Sequence, residues 1–345
     1  MFAARVALAI LLAGFAASAA RAQSSAQSGD FYKGKTFTIV VGSTPGGSFN
    51  ANARTVSRYL GHHIPGSPTV IVQNMPGAGS LTAVRYLEGG APKDGTAMTV
   101  FLPGIITQSI VEPGKIKLDM ANYTWIGIVS PDYFRICYGY GPNGVKTWDE
   151  LMKRTQDKPF IMGTTGTGAS NYVNGMALRE VFNANLKIIR GFPGSTEIRL
   201  AVERGELDGD CGGFTSVPVD WLRDNKAHPF VRFAEKLAPG IPESAVYVGT
   251  FAKSEEQLQF LRFLSGADDL GRPFIMSRQV PAERVAIIRK AFSDTMTDKA
   301  FVAEMDKQQL PVIPLTGEEA EKIYNRMMSA PPQIVEKAKA IYKFE

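Results

Sequence analysis

Histidine and cysteine are scarce in this chain, three and two among 345 residues. That leaves almost no material for a metal centre, and no H-E-x-x-H pattern places two histidines on one helical face, so a zinc enzyme is not expected. The G-x-S-x-G turn that exposes a hydrolase serine is also missing. Lys and Arg number 38 against 33 Asp and Glu, a formal charge of +5. The basic residues are scattered and nowhere gather in fives or sixes as a nucleic-acid arm would, so no nucleic-acid partner is expected, and the excess favours anionic small molecules only weakly. Past the N-terminal segment no stretch is long and apolar enough to span a bilayer. What is present is the material of a folded protein. A chain with 44% hydrophobic and 21% charged residues is not a disordered tail, and its length suits one large or two ordinary domains. Thirty-four glycines and 21 prolines require many well-defined loops.

The N-terminus reads as an export signal. Arg5 supplies the positive region, residues 6–17 an apolar segment, and Ala20-Arg21-Ala22 the small-x-small cleavage pattern, with cleavage expected after Ala22. Residues 23–30 form a polar, Ser-rich linker. Removing residues 1–22 takes away Arg5 and Arg21 and leaves a net +3. The mature protein is therefore expected outside the cytoplasm. There Cys137 and Cys211, both in strand-like segments, either pair or pack as small hydrophobes, and sequence does not decide between the two.

The order of elements repeats one phrase. A β-branched run, Thr36 to Val41, closes in Gly42-Ser43-Thr44-Pro45-Gly46-Gly47, and a helix over residues 51–60 follows with Ser48 or Asn50 as its cap. Strand 69–73, the Pro76-Gly77-Ala78-Gly79 loop, a capping Ser80 and a helix from Leu81 to Leu87 repeat it, and strand 97–102 adds a third. A second series comprises strands 126–129 and 134–138, a helix 147–155 capped by Thr147, and strand 160–162 with the Gly163-Thr164-Thr165-Gly166-Thr167-Gly168 loop. Helix 171–182, strand 186–189, a helix 195–204 and strand 207–213 complete it. From about Ser254 the tail reads as mostly helical. Alternating strand, glycine loop and helix means parallel βα units with ligand sites at the carboxyl ends of the strands. The expected fold is α/β with two domains, 31–128 with 250–345 and 129–249, and a ligand cleft between them.

Most other motifs carry little. Residues Gly29 to Thr36 match G-x-x-x-x-G-K-[ST], but the match follows a linker and enters a strand, whereas a phosphate loop must open a helix. His62 and His63 end a helix and His228 precedes Pro229, all read as surface positions. Asp208 and Asp210 flank Gly209, but Glu206-Leu207-Asp208-Gly209 reads as a turn from helix into strand rather than as part of a carboxylate pair. What remains is a set of Gly/Ser/Thr loops at strand-to-helix junctions, whose N–H groups and hydroxyls suit a carboxylate or phosphate.

Phe37-Thr38-Ile39-Val40-Val41-Gly42 leading to Pro45-Gly46-Gly47, then Val72-Gln73-Asn74-Met75-Pro76-Gly77-Ala78-Gly79, then Ala91-Pro92-Lys93-Asp94-Gly95-Thr96 resemble the tripartite tricarboxylate transporter substrate-binding proteins, the TctC or Bug family. The similarity continues through residues 163–171, the Gly191-Phe192-Pro193-Gly194 turn and residues 204–209. The resemblance implies a type II Venus-flytrap protein of the periplasm, a monomer without cofactor or catalysis, that closes over a small organic carboxylate and delivers it to membrane permease subunits. Carried over residue by residue, it implies contacts from Ser43, Thr44, Gly46, Gly47 and Phe49 in the first domain. From the second it implies Thr164, Thr165, Gly166, Thr167, Gly168 and Asn171, with Phe192 and Pro193 nearby. One departure is Asn50, where the family commonly has Asp; with Arg190 beside the Gly191 turn, it suits a more anionic ligand. A secreted hydrolase or transferase using the same cleft, and a periplasmic sensor subunit, are the alternatives.

Overall fold

The computed structural model describes residues 31–46, 48–166 and 169–342. The expected signal segment and linker lie outside the described residues, as do Gly47, Thr167 and Gly168. The first half contains β1 (Thr36–Val41), α1 (Ser48–His63), β2 (Thr69–Asn74), α2 (Leu81–Gly89), β3 (Ala97–Val100), α3 (Gly104–Val111), a short α4 (Pro113–Ile116) and β4 (Tyr123–Ile128). The middle contains β5 (Ile136–Tyr140), α5 (Trp148–Asp157), β6 (Phe160–Thr164), α6 (Ser170–Phe182), β7 (Leu186–Arg190), α7 (Ser195–Glu203), β8 (Gly209–Asp210), α8 (Val219–Arg223), β9 (Ala227–Arg232) and β10 (Val246–Tyr247). The tail adds α9 (Glu255–Leu270), β11 (Pro273–Ser277), α10 (Ala282–Thr297), α11 (Lys299–Lys307), β12 (Leu315–Thr316), α12 (Gly317–Met328) and α13 (Pro332–Ile341).

Two six-stranded sheets result, ordered β12-β4-β11-β3-β1-β2 and β10-β9-β5-β8-β6-β7. They share one plan. In the first, β1 lies parallel to β2 and β3, and β11 runs antiparallel between β3 and β4. In the second, β6 lies parallel to β7 and β8, and β5 runs antiparallel between β8 and β9. Each sheet has apolar side chains packed on both faces, which explains why β3, β4 and β11 are buried end to end while the edge strand β2 is not. Phe37, Ile39, Leu60, Ile288 and Phe301 fill one face of the first sheet, and Phe101, Ile106, Trp125 and Met327 the other.

The chain crosses between sheets twice, over residues 129–135 and 248–272. Helices α9 and α13 tie the two halves together. Phe260, Leu264, Ile334 and Tyr342 join Cys137, Phe160, Met162 and Leu178 in a single core, and α13 packs on both α3 and α6.

Several local expectations change. Strand 207–213 shrinks to the two residues of β8, and the tail supplies two strands as well as helices. His228 is not a surface loop residue but a buried one in β9, with Nε2 at 2.9 Å from the Gly141 carbonyl. Pro229 enters that inner strand because the β5–β9 register shifts there, between Cys137 and Tyr138, so its missing N–H costs no regular ladder bond. Cys137 and Cys211 form a disulfide.

Candidate functional site

The carboxyl ends of β1, β3 and β6 open onto a cavity of about 680 Å³ that takes its lining from both sheets. On the first-sheet side stand Ser43, Thr44, Gly46 and Phe49, with the Leu102-Pro103-Gly104 turn after β3. Val41 ends β1, and Gly42 must be glycine because a Cβ there would lie 2.4 Å from the side chain of Ser80. Gly46 needs glycine for another reason, a φ of +92° with open space around it.

Ser80 is no helix cap. It sits buried at a φ of 82° and makes no capping bond. Its hydroxyl donates to the Gly42 carbonyl at 2.8 Å and accepts from Leu102 N–H at 3.0 Å, joining the ends of β1 and β3. Asn50 is likewise inside α1 rather than at its cap. Its amide donates to Asn74 at 2.9 Å, Asn74 donates to the Ser43 carbonyl at 2.8 Å, and Arg54 donates to the Asn50 oxygen at 3.0 Å. The Asn50 amide thus braces the first loop.

Opposite, Thr165, Asn171 and Asn174 line the cavity at the junction of β6 and α6. Asn171 is fully engaged within the protein. It donates to the Gly163 carbonyl at 3.1 Å and to Asp210 at 3.4 Å, and it accepts from the Thr164 hydroxyl at 2.8 Å. Thr164 is buried behind the wall, where its hydroxyl also accepts from Gly166 N–H at 3.3 Å. Neither Thr164, Gly166, Phe192 nor Pro193 belongs to the lining. Phe192 packs over Gly163, Pro193 is exposed, and Arg190 lies exposed at the end of β7 outside the lining.

The floor is what the sequence reading did not find. The charged residues of the lining are Asp132, Arg135, Arg199, Asp210, Asp268 and Arg272. Arg135 bonds Asp132 at 2.5 Å and approaches Asp268 at 3.5 Å. Burial opposes the Arg135 charge, but Asp132 and Asp268 outweigh it and hold the guanidinium above its ordinary value. Burial pushes Asp268 up to about 7, against the pull of Arg135. Asp210 is pushed up to about 6, again by burial, although Cys211 N–H and the Asn171 amide donate to it. Burial thus disfavours the charged form of both acids beside the arginines of the floor. The expected turn from helix into strand over residues 206–209 is present: Asp208 pairs with Arg154 and accepts from Ile161 N–H at 2.8 Å, and Asp210 follows in β8. A signal for the floor existed in the sequence: Arg135 stands between Phe134 and Ile136, and Arg272 before the apolar β11, where a lone charge needs a reason.

No protein-family model and no curated protein matches the chain. Solved structures do. A TctC solute-binding protein from Polaromonas superposes with a TM-score of 0.67 at 16% identity, over 90% of this chain and 99% of that one. A protein of R. palustris solved with adipate gives 0.66 at 14%, over 88% and 97%. MatC from Rhodopseudomonas palustris, with bound malate, gives 0.63 at 17%, over 88% and 99%. The chain has the two-domain α/β fold of the periplasmic solute-binding proteins of TctC type.

Proposed function

We propose that this protein is a TctC/Bug-family solute-binding protein of the periplasm that captures one small organic carboxylate and hands it, unaltered, to the permease subunits of a tripartite tricarboxylate-type transporter. The observation that carries the reading is the cavity itself, of about 680 Å³ and walled by the β1–α1 junction on one side and the β6–α6 junction on the other. That volume suits a compact acid with a few waters. Ser43, Thr44, Gly46 and Thr165 supply hydroxyls and N–H groups, Phe49 an apolar face, and Asn171 acts by fixing the wall. Structural neighbours solved with adipate and malate support a carboxylate as the ligand class. In this reading the halves 31–128 with 250–345 and 129–249 act as the two jaws, and α9 and α13 span them.

The test is a thermal-shift screen of the mature chain against aliphatic mono-, di- and tricarboxylates, since a ligand bound only by the native state raises Tm by mass action. A hit should saturate at one per chain and be recovered unchanged after long incubation. A converted product would instead make the protein an enzyme, and no shift with any acid would remove the carboxylate.

A further inference from the structure

Arg272 stands out within the cleft because, among the described residues, no carboxylate is paired directly with its guanidinium. It is 4% exposed and lines the cavity, yet its buried Nε and Nη1 have no hydrogen-bond partner among the described residues. An unpaired buried guanidinium is costly unless something outside the protein completes it. The neighbouring acids do not. Asp132 and Asp268 are directed to Arg135, at 2.5 and 3.5 Å, so that one arginine takes both carboxylates and the other is left over. Arg272 lies instead against the ring of Phe49, 5.6 Å from its centroid, and Phe49 is itself part of the first-loop wall. The ring face supports the flat guanidinium while leaving its edge donors unused. Burial holds the Arg272 charge down from its ordinary value, with Arg135 adding to this and Asp132 and Asp268 opposing it.

We infer that Arg272 is the primary anchor for the anionic group of the ligand, receiving a carboxylate or another planar-faced oxyanion through its guanidinium edge beside Phe49. The inference rests on the solute-binding reading and sharpens it. The loop N–H groups and hydroxyls then orient the ligand, and a full positive charge at the floor selects for anions over neutral isosteres. Because the ion pair is completed only by the ligand, the empty protein carries the cost of the buried charge and the loaded one recovers it.

The test uses the mature full-length chain with Arg272→Met and Arg272→Lys, and adipate, malate and inorganic sulfate as probes. At least one probe should raise the wild-type melting temperature. In Arg272→Met its affinity should fall about 10- to 100-fold, while the ligand-free variant melts no lower than wild type. Arg272→Lys, which keeps the charge and loses the planar fork, should fall between the two. A ligand-free Arg272→Met that melts several degrees lower would make Arg272 a structural cation and overturn the inference, as would affinity retained within about twofold. If none of the probes shifts the wild type, the carboxylate reading fails for these acids. The ligand-free comparison still decides whether Arg272 is a charge the fold keeps at its own expense.

Discussion

Asp210 shows how a single residue couples the cleft to the stability of the fold. Burial raises its carboxyl to about 6 in the native state, above the value near 4 of an unfolded chain. The native state therefore holds the proton more tightly, and the cost of ionisation appears as pH rises from about 4 to about 6 and is complete above that. Asp210→Asn, which keeps an oxygen for Cys211 N–H, should stabilise the protein by about 1–3 kcal/mol at pH 8 and by nothing at pH 4. Urea denaturation at the two pH values checks this, and an equal effect at both would contradict it. Ser80 makes the opposite point. Its hydroxyl satisfies both Gly42 and Leu102, so Ser80→Ala leaves the buried Gly42 carbonyl unpaired, removes the part-buried bond from Leu102 N–H, and should cost about 1–3 kcal/mol. Thermal unfolding reads the loss. Neither role is legible in the sequence, where Ser80 resembles a cap and Asp210 merely follows a turn, because burial of Asp210 and the partners of Ser80 depend on segments tens of residues away. The glycine loops were legible, since a backbone that must turn or approach closely declares itself locally.

Elements were read from their own composition wherever they could be. β1, β2 and β6 follow from β-branched or apolar runs and α5 from its Thr147 cap, whose hydroxyl accepts from Glu150 N–H. β8 is shorter than its composition suggests, because a glycine-bearing segment looks the same whether two or seven of its residues pair, and β11 lies hidden in a tail dominated by helical spacing. The floor of the cleft lies beyond any local reading. It gathers Asp132 and Arg135 beside β5, Asp210 from β8, and Asp268 and Arg272 around the end of α9. The disulfide fastens part of that assembly by joining β5 to the residue after β8, across a sequence separation of 74. A loop of that length gives the cross-link an expected contribution of about 4 kcal/mol through the unfolded chain. The paired substitution Cys137→Ala with Cys211→Ala should lower the denaturation midpoint accordingly, and reductant should do the same to the wild type and nothing to the variant.

At the scale of the whole molecule, two sheets of one plan share a cleft, and the chain passes between them twice. Each wall alone offers a ligand only part of its contacts, so a carboxylate should bind best where both meet it and shift the population toward a closed form. Solution scattering should register a smaller radius of gyration with a saturating hit from the acid screen, and an unchanged profile would remove closure while leaving the site. The most direct measurement is amide hydrogen exchange of the mature chain with and without that acid. Protection should be gained together at the segment carrying Ser43, Thr44 and Gly46 and at the segment carrying Thr165 and Asn171, one from each wall. Protection confined to one wall, or gained only outside the cleft, would contradict it.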